Sequence, residues 1–98
     1  MARQPLTDHE INEALDSLNG WERIDDKLVK IIPTTTYPQG LALATAIGMI
    51  ADGFDHHPDL IISYQTIRIE FTTHDAGYKI TATDIKLAKA IDSLKIRT

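Results

Sequence analysis

Three stretches of the chain carry hydrophobic residues at the spacing of an α-helix. The first opens with Thr7 and Glu10 at the spacing of a capping box, and Gly20 is its predicted C-terminal stop. The second has Pro38 in its first turn, where proline is favoured. The predicted buried faces are, in chain order, Ile11, Leu15 and Leu18; Leu43, Ile47, Ile50 and Phe54; and Leu87, Ala88, Ile91 and Leu94.

The third helix has start and stop signals of its own. Thr81 and Asp84 stand at capping-box spacing, so Asp84 is first of all a predicted helix-capping residue. Lys95 and Arg97 suit the negative end of a helix. These signals predict a helix that begins just after Thr81 and runs almost to the end of the chain.

Four short extended runs lie between the predicted helices. Residues 21–24 (WERI) and 27–32 (KLVKII) flank two aspartates and predict one hairpin. Residues 59–74 (DLIISYQTIRIEFTTH) predict a second hairpin that turns near Tyr64 and Gln65, because apolar and polar residues alternate along its second half. The alternating apolar residues of that strand are Ile67, Ile69 and Phe71.

The order helix, hairpin, helix, hairpin, helix (α-β-β-α-β-β-α) predicts an α+β fold. It is a four-stranded antiparallel sheet with three helices on one face, because the apolar stripes of the helices need one sheet face to cover. The other sheet face is left free for a ligand or a partner. No repeat or linker interrupts the sequence, so residues 1–98 are expected to form a single domain. Exposed sheet edges favour self-association.

Composition and charge exclude several classes of function. A net charge of -4 without a dense basic cluster argues against direct binding of DNA or RNA. The absence of cysteine excludes disulfides, a thiol nucleophile and thiolate metal sites. The longest apolar stretch, residues 40–51, is shorter than the roughly 20 residues that a membrane helix needs, and the N-terminus lacks a signal-peptide core. We therefore expect a cytoplasmic protein with no membrane contact.

Two of the four histidines, His56 and His57, are adjacent and precede Pro58. Because proline disfavours helical backbone in the preceding residue, we expect the second helix to stop before the pair and the two rings to point to opposite sides. His74 follows the last strand of the second hairpin, which returns it towards the pair. Three imidazoles are thereby predicted to converge at one edge of the sheet, where they would suit general acid–base catalysis of a small molecule.

The residues near the histidines, and the remaining histidine and aromatic residues, allow further interpretations. Asp55 and Asp75 adjoin the histidines and are predicted to orient or tune them. Three histidines and an aspartate could instead bind zinc or iron, although no H-x-H or H-x-x-x-H pair lies within one element. His9 is interpreted as a solvated surface residue, and Trp21 and Tyr64 as packing residues.

The spacing of the histidines and their neighbours resembles the signature of the pterin-4a-carbinolamine dehydratases. The residues that carry the resemblance are Asp52, His56, His57, Pro58, Tyr64, His74 and Asp84. Residues 55–92 resemble the family throughout, and LNGW at 18–21 matches its leading element. The chain departs from the family at residues 31–40, where several phenylalanines are usual, and at Leu60, where an aromatic residue often stands.

The resemblance implies a dehydratase that removes water from 4a-hydroxytetrahydropterin and gives quinonoid dihydropterin, with no metal or organic cofactor, in a homodimer or homotetramer. It implies His56 and His74 as the acid–base pair and His57 as the main group that orients the substrate. Further residues implied at the site are Asp55, Pro58, Thr72 and Thr73 for substrate binding, and Asp52 and Asp84 in support.

A protein-association role is the alternative hypothesis. Members of the family also serve as partners of a homeodomain transcription factor, as transcriptional coactivators, and related domains act as assembly chaperones. In this chain a free helix face or sheet face would carry such a role, and the histidines would then be incidental.

Overall fold

The computed structural model describes residues 4–94, so the predicted helix signals at Lys95 and Arg97 lie outside the described residues. Within that range the chain forms three α-helices, four strands and one 3₁₀-helix. Their bounds are α1 Asp8–Asp16, β1 Glu22–Ile24, β2 Lys27–Pro33, α2 Tyr37–Gly53, β3 Asp59–Ser63, β4 Thr66–Phe71, the 3₁₀-helix His74–Ala76 and α3 Ala82–Asp92. The predicted α+β class and element order are confirmed.

The strands form one antiparallel sheet in the order β1-β2-β4-β3. The two central strands, β2 and β4, pair over six residue positions, and β3 lies at one edge. Both predicted hairpins are present. The first turns at Asp25 and Asp26, with Asp25 in left-handed backbone at φ 54°, and the second turns at Tyr64 and Gln65.

One face of the sheet packs against all three helices. Alternate residues of β4 lie fully buried on that face, as the alternating pattern predicts. Each large apolar side chain buried in this way contributes about 1.5–3 kcal/mol to folding. The core includes Ile11 from α1; Leu43 and Ile47 from α2; Leu87, Ala88 and Ile91 from α3; and Leu28, Ile32, Ile67, Ile69 and Phe71 from the sheet.

Helix α1 ends earlier than the sequence predicts. Its last residue is Asp16, and the hydroxyl of Ser17 caps the end by donating to the carbonyl oxygen of Ala14 at 2.9 Å. The prediction that Gly20 stops the helix is therefore wrong. Gly20 instead adopts φ +80° in the turn that follows and leads directly to Trp21, whose ring is buried in the core.

The buried face of α2 differs at one position from the predicted face. Leu43 and Ile47 are buried and Ile50 is partly buried, as expected. Phe54 lies beyond the last helical residue and is 42% exposed, so its assignment to the core is wrong. Ala51, one turn after Ile47, is fully buried in its place, and its small side chain allows α2 to pack closely.

The opposite face of the sheet is open to solvent. Ile31 of β2 is 55% exposed and Ile61 of β3 is 47% exposed on that face, and Arg68 of β4 lies between them in the register of the strands. Among the described residues, no helix has the length and apolar character that crossing a membrane requires.

Candidate active site

The end of α2 sets the direction of the first histidine. Asp55 has left-handed backbone at φ 52°, and its N–H donates to the carbonyl oxygen of Asp52 at 2.9 Å. The N–H of His56 donates to the carbonyl oxygen of Ala51 at 3.1 Å. These two bonds are the pattern of a Schellman C-cap. The helix thus stops before the histidine pair, as predicted, but this turn ends it at Gly53, five positions before Pro58.

The His56 ring is buried between the helices and the sheet. The residue is only 4% exposed, and its ring stacks on Phe71 with centroids 6.0 Å apart and planes 14° apart. Its Nε2 lies 2.5 Å from Oδ1 of Asp84. Packing and hydrogen bonding together therefore fix the orientation of this imidazole.

Asp84 connects His56 to the start of α3. The carboxylate is fully buried, and its second oxygen accepts from the Thr73 hydroxyl at 2.8 Å and from the Thr81 N–H at 2.9 Å. The two threonine hydroxyls lie 2.7 Å apart. A carboxylate can only accept hydrogen bonds, so an ionised Asp84 requires a hydrogen on Nε2 of His56. His56 would then gain or lose its second proton at Nδ1.

His57 points away from His56 and towards solvent, as the extended chain predicts. Its Nε2 lies 3.0 Å from Oδ1 of Asp52, and both side chains are mostly exposed. The contact between His57 and Asp52 is weak, because water competes for both exposed groups. His57 is therefore held by fewer buried contacts than His56.

His74 reaches the site from the other side. It is the first residue of the 3₁₀-helix that follows β4, and its ring contacts the Tyr78 ring with centroids 5.1 Å apart. The loop is closed by the N–H of Gly77, which donates to the His74 carbonyl oxygen at 3.2 Å. The position just after β4 agrees with the prediction that the second hairpin returns this histidine to the pair.

A cavity of about 140 Å³ brings the three histidines together. Its lining is Asp55, His56, His57, Thr72, His74 and Asp75. Of the other predicted site residues, Pro58 does not line the cavity, Thr73 is fully buried behind the wall, and Asp52 and Asp84 each contact one histidine from outside the lining. The hydroxyl of Thr72 is buried without a hydrogen-bond partner among the described residues.

The sequence did not indicate the contacts of three residues, two of them beside the site and one at the end of α3. Thr81 was predicted only as a helix cap, although its hydroxyl also contacts Thr73. Tyr78 and Asp92 were not singled out, and no local spacing signal marks either of them. Asp92 accepts from the Trp21 Nε1–H at 2.8 Å, so it fixes the tryptophan of the LNGW element.

Metal binding is the alternative use of these side chains that the sequence leaves open. Across residues 4–94, no group of three or more His, Asp or Glu side chains is arranged to hold a metal ion. The nitrogen atoms Nε2 of His56 and Nε2 of His57 each contact a carboxylate. Such imidazole–carboxylate contacts orient a proton-transferring ring.

The comparisons with known proteins agree on one family. The model of the pterin 4 alpha carbinolamine dehydratase family matches residues 4–94. A protein of Aquifex aeolicus (strain VF5) named "putative pterin-4-alpha-carbinolamine dehydratase" is 39% identical over 89 residues, covering 91% of this chain and 89% of its own length. A protein of the same name from Prochlorococcus marinus is 39% identical over 95 residues, covering 97% and 98%.

A solved structure agrees with the sequence matches. The crystal structure of a transcriptional coactivator/pterin dehydratase from Brucella melitensis superposes with a TM-score of 0.85 at 26% identity, covering 92% of this chain and 97% of that chain. The fold defines a small α+β protein with a four-stranded antiparallel sheet and three helices. The chain belongs to the pterin-4-alpha-carbinolamine dehydratase family.

Proposed function

We propose that this protein removes water from 4a-hydroxytetrahydropterin and gives quinonoid dihydropterin, by histidine acid–base catalysis and without a cofactor. The observation that carries the proposal is the cavity that His56, His57 and His74 line together in a chain of this family. A bound substrate in that cavity is within reach of groups that donate and accept protons near neutral pH.

The reaction needs two proton transfers. The C4a–O bond breaks, and the departing hydroxyl takes a proton from an acid and leaves as water. The lone pair of the adjacent ring nitrogen forms the new C=N bond, and a ring N–H proton passes to a base. One imidazole in the charged form and one in the neutral form can supply both steps, so no nucleophile is required.

The surroundings of the histidines support a division of these roles. The contact with Asp84 fixes the orientation of the His56 ring, which suits His56 to act as the base that takes the ring proton. His74 lies across the cavity and is the acid that protonates the leaving hydroxyl. His57 lies at the exposed side beside Asp52 and orients the substrate.

The test is a dehydration assay of 4a-hydroxytetrahydropterin with the wild type, His56→Ala, His74→Ala and His57→Ala. We expect kcat to fall by about 100-fold or more in the first two variants. In His57→Ala we expect KM to rise more than kcat falls. A wild-type rate equal to the uncatalysed rate would overturn the proposal.

A protein-association role is the second candidate function, because the similar Brucella structure is described as a transcriptional coactivator as well as a dehydratase. Capture of a stable partner by the triple variant His56→Ala, His57→Ala, His74→Ala, together with an inactive wild type, would favour it. Loss of partner binding in that variant would instead tie binding to the histidine cavity.

We further propose that the chain works as a homodimer or homotetramer. Exposed apolar side chains support an interface, among them Met49 of α2, which is 72% exposed, and Ile31 of the open sheet face. Light scattering coupled to size exclusion distinguishes one, two and four chains directly.

A further inference from the structure

The hydroxyl of Thr81 is one link in a buried chain of hydrogen bonds that ends at a histidine of the candidate active site. Its oxygen lies 2.7 Å from the hydroxyl oxygen of Thr73, which in turn lies 2.8 Å from Oδ2 of Asp84. Oδ1 of the same carboxylate contacts the ring of His56. Thr73, Thr81 and Asp84 are each at most 1% exposed, so water does not compete for these bonds.

The hydrogens of this chain can point in one direction only. An ionised Asp84 accepts and cannot donate, so the single hydrogen of the Thr73 hydroxyl points to Oδ2. The Thr73 oxygen is then the acceptor for the hydroxyl of Thr81. The Thr81 oxygen in turn accepts from the Thr83 N–H at 3.3 Å. Each hydroxyl therefore accepts on one side and donates on the other, towards the carboxylate that contacts His56.

The backbone of Thr81 is fixed from two sides. Its N–H donates to Oδ2 of Asp84 at 2.9 Å, which completes the capping box of α3. On the other side, Pro5 of the N-terminal segment forms an antiparallel bridge with Thr81. The next N–H, that of Leu6, donates to the Ile80 carbonyl oxygen at 2.8 Å. The Thr81 hydroxyl thus has a fixed position in a chain whose hydrogen bonds polarise one another away from water.

We propose that Thr81 is a positioning residue for the dehydration reaction. The inference rests on the proposed function for the step that His56 performs. The Thr81 hydroxyl aligns Thr73, Thr73 aligns the carboxylate of Asp84, and the carboxylate keeps a hydrogen on Nε2 of His56. Thr81 does not line the histidine cavity, so it acts through this chain and not on the substrate.

Three variants separate the hydroxyl of Thr81 from its other contributions. Thr81→Val removes the hydroxyl and keeps the shape of the side chain, whereas Thr81→Ser keeps the hydroxyl and removes a buried methyl group. Thr7→Val is the matched control, because Thr7 is also the N-cap of a capping box. The Thr7 hydroxyl accepts from the Glu10 N–H at 3.1 Å and is no part of the chain to His56.

Dehydration kinetics, urea unfolding and nitrogen NMR of the His56 ring give three separate readouts. We expect Thr81→Val to lower kcat about tenfold, to change KM much less and to reduce the Nε2–H form of the ring. Thr81→Ser should retain most of the kcat that the valine variant loses, although the missing methyl group lowers its stability. Thr7→Val should lose stability and keep both kcat and the spectrum of His56.

A Thr81→Ser variant that folds and loses kcat about tenfold would overturn the proposal, even if the valine variant does not fold. An unchanged Nε2–H form or an unchanged kcat in Thr81→Val would also overturn it. The NMR readout does not depend on turnover. A wild type without dehydratase activity in which Thr81→Val still reduces the Nε2–H form would support the chain to His56 and count against the proposed function alone.

A double-mutant cycle with Thr73→Val tests the order of the links. If Thr81 acts through Thr73, the double variant should lose no more kcat than Thr73→Val alone, because the first substitution already breaks the chain. Losses from the two single variants that multiply in the double variant would show that Thr81 acts independently of Thr73, and this result would overturn the proposal.

Discussion

His56 and Asp84 form a buried pair in which Nε2 of the ring lies 2.5 Å from Oδ1 of the carboxylate, 28 positions apart in the sequence. The same carboxylate caps α3 through the Thr81 N–H. One acidic side chain thus anchors a helix and orients a histidine. The position of His56 relative to His74 therefore depends on the correct docking of α3.

Replacement of Asp84 by Asn should lower activity through the orientation of His56. An amide offers a donor as well as an acceptor, so the ring can no longer be held in one tautomer. We expect kcat to fall about 100-fold while KM changes much less. Nitrogen NMR of the His56 ring should show loss of the Nε2–H form.

Asp92→Asn is the matched control for Asp84→Asn. Asp92 is also a carboxylate on α3 with several hydrogen bonds, but it contacts Trp21 and Lys30 instead of a histidine. We expect this control to lose stability and to keep kcat. A similar loss of kcat in both variants would mean that Asp84 acts only through the stability of α3.

The two adjacent histidines should differ in their effect on stability. His56→Ala removes a buried ring from Phe71 and leaves the Asp84 carboxylate without its partner, which should cost about 3 kcal/mol. His57→Ala removes an exposed ring and should change the free energy of unfolding by less than about 0.5 kcal/mol. Urea unfolding followed by Trp21 fluorescence measures both, and equal losses would contradict the assigned burial.

Much of this arrangement follows from local sequence patterns. The alternation in β4 predicted which of its residues are buried, and the capping boxes at Thr7 and Thr81 are both formed. Local signals succeed here because helix caps and strand faces are set by residues within four positions of one another. Predicting that the three histidines converge also required the second hairpin, which brings His74 back towards His56 and His57.

Contacts between distant parts of the chain could not be predicted in the same way. The prediction for Gly20 failed because Ser17 caps α1 first, and the prediction for Phe54 failed because the Schellman turn ends α2 before that side chain reaches the core. The pairing of Asp92 with Trp21 spans 71 positions and leaves no periodic signal. Residue propensities likewise do not predict the left-handed backbone of Tyr78 (φ 60°), because bulky residues rarely adopt this conformation.

Thr72→Val should raise stability and weaken substrate binding. The Thr72 hydroxyl is buried without a partner among the described residues, so replacement by an isosteric methyl group should stabilise the free protein by about 1 kcal/mol. Because the same side chain lines the histidine cavity, we expect KM for the pterin substrate to rise. Urea unfolding and steady-state kinetics on the same samples check the two effects.

Thr73→Val provides the contrast for Thr72→Val. The Thr73 hydroxyl contacts Asp84 and Thr81 in the buried network, so its removal should destabilise the protein by about 1–3 kcal/mol. If both valine variants lost stability equally, the Thr72 hydroxyl would have to be satisfied in solution by a group that the structure does not show.

Asp92 should make stability depend on pH in the acid range. Its carboxylate accepts from Lys30 and Trp21 at 2.8 Å each and from the Asn19 N–H at 2.9 Å. Burial alone would raise the pKa of Asp92, but the bonds from Lys30, Asn19 and Trp21 outweigh it and hold the pKa below its usual value of 3.8. A carboxyl whose pKa is lowered by folding stabilises the protein above its unfolded pKa, and this contribution is lost as the pH falls through the lowered value.

Asp92→Asn should therefore be less stable than the wild type by about 2 kcal/mol at pH 7, because it loses hydrogen bonds to a charged acceptor. The difference should stay constant down to about pH 5 and shrink below the usual value of 3.8 as the wild type is protonated. Urea unfolding at pH 7, 5, 4 and 3 measures the difference. A difference that stays the same at pH 7 and pH 3 would show that packing around Trp21, and not the charge of Asp92, supplies the stabilisation.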